Sequence, residues 1–177
     1  ILSKGHCLLA WLVTLVRVGE IKINDLNDFY SNGSKFGGHP KKGSLKSITW
    51  STGSLGHGLS VSCGKALGNR NKKFICVIGD GESNEGSIWE SLFFISHHNL
   101  KNITILIDKN NFQSFGKTKE IIYLNYKKIF KSLNFSYFQI DGHNVSKILE
   151  KLKLNTKIPK IIICETIKGK GLVKYEN

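Results

Sequence analysis

Four short apolar runs rich in β-branched residues recur along the chain: KFICVIG at 73–79, NITILID at 102–108, FSYFQID at 135–141 and PKIIICET at 159–166. Between them the apolar positions switch to helical spacing. IWESLFFISHH, 88–98, places apolar residues at 88, 89, 92, 93 and 95. NYKKIFKSL, 125–133, and NVSKILEKLKL, 144–154, repeat the i, i+3, i+4 habit. Strand–helix alternation at this spacing predicts βαβ units and a parallel sheet. Strands that are apolar along nearly their whole length predict a sheet covered on both faces. The expected fold class is therefore α/β, a parallel sheet with helices on both faces, with Trp89 and Phe93 in the core.

The first third reads differently. HCLLAWLVTLVRVG, 6–19, has the pattern of a buried helix, and LGHGLSVSCGKALG, 55–68, that of a helix of small residues suited to close packing. Between them residues 31–56 are rich in Gly, Ser and Lys and show little periodicity. Long irregular segments inside a compact domain usually carry function. No repeat and no low-complexity linker interrupts the chain, so one domain over residues 1–177 is expected.

Composition narrows the class. The 177 residues suffice for a packed core, and 40% hydrophobic with 22% charged residues is ordinary for a globular protein. The longest apolar run of the N-terminal region, LLAWLVTLV at 8–16, is too short to span a bilayer. No charged n-region with a cleavage site is visible, so neither a membrane nor a secretory route is expected. The net charge of +13 raises nucleic-acid binding. Only two of the 26 basic residues are Arg, and the lysines are scattered, so a solvated basic surface is the preferred reading. Cys7, Cys63, Cys76 and Cys164 have no CxxC spacing. Buried free thiols in a reducing cytoplasm are expected rather than a zinc site.

Candidate chemistry centres on GDGESNEGSIWE, 79–90, which follows the first apolar run. Open parallel sheets bind ligands beyond the C-terminal ends of their strands. Asp80 is placed there, and Asn110 of DKNNFQ, 30 residues on, falls at the end of the next strand. A carboxylate with amide and carbonyl oxygens is a hard set that suits Mg²⁺ or Ca²⁺. Two side-chain oxygens hold Mg²⁺ poorly, and phosphate oxygens commonly complete its octahedron. Gly81 permits a close backbone approach, and a following helix N-terminus would favour an anion. The predicted ligand is a Mg²⁺-bound diphosphate. Taken alone, GDG reads better as an ordinary βα turn; with Asn110 at the next strand end the two readings stand level.

Four further stretches bear on this choice: ILSKGH at 1–6, GGHP at 37–40, STGSLGHGLS at 51–60 and ETIKGKG at 165–171. Together with Gly79-Asp80-Gly81 and Asn110, in this order and over nearly the whole chain, the sequence resembles the N-terminal, thiamine-diphosphate-binding part of transketolase, and especially the separate N-terminal subunit of split transketolases. The resemblance implies that Asp80 and Asn110, with the carbonyl of Phe112, ligate Mg²⁺ (Ca²⁺ or Mn²⁺ being substitutes). It implies that Gly79 and Gly81 face the diphosphate and that His6 stands near it. Gly53, Ser54 and Leu55 would meet the aminopyrimidine, His39 would contact donor-sugar hydroxyls, and Glu85 would belong to a carboxylate network joining the two halves of the active site. His6, His39 and His57 are the expected catalytic histidines, since imidazole moves protons near neutral pH. His57 stands where the family often has Gln, and Ser54 where single-chain relatives have Pro.

The implied activity is transfer of a two-carbon ketol unit from a ketose phosphate to an aldose phosphate, as in the pentose phosphate pathway. A C-terminal pyrimidine-binding subunit is the implied partner, giving a heterotetramer or dimer of heterodimers in the cytoplasm. An earlier histidine loop and a histidine downstream of KGKG would lie outside residues 1–177, so the domain is expected to be incomplete at both ends. A 1-deoxy-xylulose-5-phosphate synthase and a non-catalytic remnant acting as a binding module are the alternatives. His97 and His98, near a helix end, and His143 of DGHN, at a turn and cap, are read as structural.

Overall fold

The computed structural model describes residues 1–114 and 116–176. Helix α1 spans Leu8–Arg17 and α2 His57–Gly68. Strand β1, Phe74–Gly79, leads through a 3₁₀ turn into α3, Gly86–His97. Strand β2, Ile103–Lys109, is followed by a small hairpin, β3 at Phe112–Gln113 and β4 at Gly116–Lys117, and by the single-turn α4 at Thr118–Ile121. Then come α5 at Tyr126–Ser132, β5 at Ser136–Asp141, α6 at Val145–Lys153 and β6 at Lys160–Glu165. The long strands form one parallel sheet in the order β1-β2-β6-β5. All four apolar runs of the sequence are these four strands.

The alternation of the pleat sorts the strand residues onto two covered faces. Ile103, Ile105 and Ile107 of β2, with Ile161 and Ile163 of β6, pack against α2, α3 and α5 in the main core. Leu106, Ile162 and Cys164 point the other way and pack with Ile148 and Leu152 of α6. A third cluster joins Leu8, Leu12 and Leu15 of α1 to Phe36 and Ile48, which gives the aperiodic stretch 31–56 an apolar anchor without regular structure. Burial pushes the Cys63 thiol up to about 12 and those of Cys76 and Cys164 to about 11, which favours the neutral thiol in all three. No helix among the described residues is long and apolar enough to cross a membrane.

Three expectations change in the structure. Phe93 is 58% exposed, because α3 packs through Ile88, Leu92 and Ile95 and residue 93 falls on the opposite side of that stripe. Trp89, beside the stripe, is partly buried against the core. Helix α1 is buried on one side only, since Leu9 and Val13 are 45% and 44% exposed. The cap after β5 is Asn144, whose side chain accepts from Lys147 N–H, while His143 Nε2 accepts from Ile167 N–H at 2.9 Å.

We expect Leu92→Ala to cost about 3 kcal/mol in urea unfolding of the isolated chain. Phe93→Ala, one residue on, should stay within about 0.5 kcal/mol of the parent.

Candidate functional site

The candidate residues meet at the C-terminal edge of β1 and β2. Because the two strands pair in register from Phe74↔Ile103 to Gly79↔Asp108, the turns that follow them emerge side by side. Asp80 is 3% exposed. Its carboxylate accepts Asn111 N–H at 2.7 Å through Oδ2 and Gly81 N–H at 3.0 Å through Oδ1. Burial pushes its pKa above the usual carboxylate value, and the two amide bonds and the nearby Lys4 charge oppose that shift. Asn111 takes a left-handed φ of 64°, which reverses the chain between Asn110 and Phe112. Asn110 Oδ1 accepts Phe112 N–H at 2.9 Å, closing a local side-chain turn. Ser83 Oγ–H donates to Asp80 O at 2.5 Å, and Tyr126 of α5 reaches the same carbonyl at 3.4 Å.

The N-terminal segment reaches this edge by joining the sheet. Leu2 bridges Val77 in parallel, Ser3 N–H donates to Val77 O at 2.9 Å, and Val77 N–H donates to Ile1 O at 2.9 Å. Lys4 therefore arrives 6% exposed above β1, and its Nζ lies 2.6 Å from Asp108 Oδ2. Burial alone would lower the Lys4 pKa, but the Asp108 carboxylate and its hydrogen bond outweigh that and hold it raised. Thr166 of the KGKG segment donates its hydroxyl to the other Asp108 oxygen. His6 is shifted down by burial first, then by the positive charges of Lys4 and His39.

Lys4, His6, Asp80, Asn110 and Phe112 border one cavity of about 710 Å³. Of the residues singled out in the sequence, His6, His39, Gly53, Leu55, Gly79, Asp80, Gly81, Glu85, Asn110 and Phe112 line it. Ser54 and His57 are outside that lining; both are exposed, and His57 begins α2. The segment after Gly81 is a 3₁₀ turn, Glu82–Asn84, so the expected helix N-terminus lies further on, where α3 begins at Gly86. A Cβ at Gly81 would sit 2.7 Å from Gln113 Cβ, so the close approach there is made by β3. The pattern reading missed Lys4, Glu82, Asn84, Gln113 and Lys168, all of which line the cavity. Lys4, Glu82 and Lys168 stand inside the quoted stretches SKGH, GDGES and TIKGKG, and that proximity was the available signal.

The donor set can be tested for its fit to a metal. Among the described residues no three His, Cys, Asp or Glu side chains cluster tightly enough to hold an ion. A cation at this edge would thus take one carboxylate, one amide and one carbonyl oxygen, with the remaining positions filled by ligand and water. Hard oxygens in that number suit Mg²⁺ with a diphosphate. Lys4, Lys168 and His6 add positive or protonatable groups around the same space.

A parallel α/β sheet with oxygen donors and basic side chains around a cavity at its strand ends has the arrangement expected of a domain that binds an anionic ligand there. Comparison with known proteins gives the family. The family described as transketolase, thiamine diphosphate binding domain, matches residues 1–177. Transketolase-like protein 2 of Mus musculus is 32% identical over 100% of this chain and 30% of its own length. An apulose-4-phosphate transketolase subunit of Phocaeicola vulgatus is 32% identical over 99% of this chain and 65% of its own length. The crystal structure of transketolase from Campylobacter jejuni superposes with a TM-score of 0.84 at 26% identity, over 99% of this chain and 31% of that one. The chain belongs to the transketolase thiamine-diphosphate-binding domain family. It spans less than a third of the mouse relative and about two thirds of the bacterial one.

Gly5 allows the SKGH segment to lie against the 31–56 region, since a methyl there would overlap Thr52 Oγ1 and come within 2.9 Å of His39 Cδ2. Gly5→Ala should cost about 2 kcal/mol by urea unfolding. Thr52→Ala should recover part of that loss, because Thr52 Oγ1 makes no hydrogen bond.

Proposed function

We propose that this chain is the thiamine-diphosphate-binding part of a transketolase, completed by a pyrimidine-binding chain. The observation that carries the reading is the convergence of Asp80, Asn110 and Phe112 from two adjacent strand ends on the rim of one cavity that His6 and His39 also line. Asp80 and Asn110 would hold Mg²⁺ through side-chain oxygens and Phe112 through its carbonyl. Asp80 is prepared for this: Asn111 and Gly81 N–H fix both its oxygens before any ligand arrives, so little ordering remains to be done on binding.

Thiamine diphosphate, when bound, supplies the carbanion chemistry that breaks and forms the carbon–carbon bond. This chain's residues do the rest of the work on its side of the cavity. Lys168 would offset part of the diphosphate charge, while Lys4 is held beside it by Asp108. Gly53 and Leu55 would border the aminopyrimidine, and His39 would orient donor hydroxyls. Burial, then the charges of Lys4 and His39, hold His6 below its ordinary pKa and favour the neutral imidazole, the form that can accept a proton. The implied reaction moves a two-carbon ketol unit between sugar phosphates. The apulose-4-phosphate in the name of the Phocaeicola vulgatus relative is that protein's sugar, so the pentose phosphate pathway is one setting among several.

That relative is named as one subunit of its transketolase, which supports a partner here. The exposed Phe93 and Phe94 of α3, the helix that begins beside the cavity residue Glu85, offer that partner an apolar surface. Four unpaired cysteines, three of them buried, suit the cytoplasm.

Calorimetric titration of thiamine diphosphate into this chain mixed with a pyrimidine-binding subunit should show saturable binding only with Mg²⁺, and Asp80→Ala should abolish it. Binding that survives Asp80→Ala would overturn the assignment. Phe93→Glu should weaken association of the two chains by about tenfold while leaving the unfolding midpoint of the isolated chain unchanged, measured by sedimentation and urea titration.

A further inference from the structure

We infer that Glu82 is a positioning residue whose single carboxylate ties together three of the segments that wall the cavity; the role toward cofactor rests on the functional reading above. Glu82 is 3% exposed. Its Oε1 accepts the Ser3 hydroxyl at 2.5 Å and Gly56 N–H at 2.8 Å, and its Oε2 accepts Gly79 N–H at 3.1 Å. The partners lie 79, 26 and 3 residues away in sequence. Each tether sits beside residues that line the cavity. Ser3 precedes Lys4 and His6, Gly56 follows Gly53 and Leu55, and Gly79 precedes Asp80.

The chemistry dictates the residue type. Three donors point at one buried group, two of them backbone N–H groups that cannot change role. A carboxylate is acceptor-only and satisfies all three. A glutamine of the same shape carries an NH₂ on one side. Turned either way, that NH₂ confronts Gly79 N–H or Gly56 N–H, and one buried donor loses its partner. None of the salt bridges among the described residues involves Glu82, so backbone dipoles and one hydroxyl stabilise its charge. It therefore leaves the cavity's cations unneutralised by its own charge: Lys4 is paired with Asp108, and Lys168 forms none of the salt bridges among the described residues. Asp80 fixes the metal side of the site, and Glu82 fixes the distances between the walls.

The test compares the parent chain, Glu82→Gln, Ser3→Ala and Asp80→Ala by amide hydrogen exchange without ligand, and by titration with thiamine diphosphate and Mg²⁺ in the presence of the pyrimidine-binding subunit. Glu82→Gln should speed exchange by about tenfold or more across residues 1–6, 53–57 and 79–81 together, with α6 unchanged, and should raise the Kd by a similar factor. Ser3→Ala should loosen residues 1–6 alone. Asp80→Ala should abolish binding while leaving exchange in residues 1–6 and 53–57 as in the parent. Faster exchange confined to residues 79–81, an equal rise in α6, or an unchanged Kd in a mixture whose parent binds would each overturn the proposal. If the parent mixture fails to bind, the cofactor reading falls, and the exchange arm alone decides whether Glu82 joins the three walls.

Discussion

Asn111 N–H donates to Asp80 Oδ2 at 2.7 Å, and this contact joins the turn after β1 to the turn after β2. Parallel strands end with peptide groups that have no further ladder partner, so something must organise the chain where the sheet stops. Here a buried carboxylate does it. The bond holds Asp80 next to the Asx turn of Asn110, and the left-handed Asn111 keeps Asn110 and Phe112 within the same short reversal. Asn84 Nδ2, donating to Gln113 Oε1 at 3.0 Å, ties the same two turns a second time. With both, three oxygen donors suited to a hard cation have a fixed relation before any ligand is present.

Buried charge at this edge is distributed with care for the cost of desolvation. Asp108, Lys4 and Thr166 satisfy one another, and Glu82 is satisfied by two amides and a hydroxyl. Lys4 enters only because residues 1–3 add themselves to the free edge of β1, which places the SKGH stretch above the strand ends. The cavity is thus walled by segments from the beginning, middle and end of the chain. Exposed apolar residues on α3, and a relative named as one subunit of its transketolase, are the grounds for the proposal that another polypeptide finishes the site.

Much of this was legible in the sequence, for a physical reason. The strands betray themselves by short β-branched runs, and the helices between them by a changed period, so the sheet and the placement of Asp80 and Asn110 at adjacent ends follow from pattern. Helical spacing alone did not say which side of α3 faces the sheet, and Phe93 turned out exposed because Ile88, Leu92 and Ile95 define the packed stripe. Lys4 and Glu82 escaped notice because a buried charge looks like a surface charge until its partners are known, and those partners are distant in sequence. The joining of residues 1–3 to the sheet edge carries no periodic signal at all. His57 was expected among the catalytic histidines, in a helix of small residues, and it does start α2, but outside the lining of the cavity.

The most direct test of the central claim is a crystal structure of the chain with its pyrimidine-binding partner, thiamine diphosphate and Mg²⁺. The account predicts a metal about 2.1 Å from an Asp80 carboxylate oxygen, Asn110 Oδ1 and the Phe112 carbonyl, with the diphosphate completing its coordination. A metal or diphosphate bound away from the ends of β1 and β2, with these three oxygens uncoordinated, would contradict it.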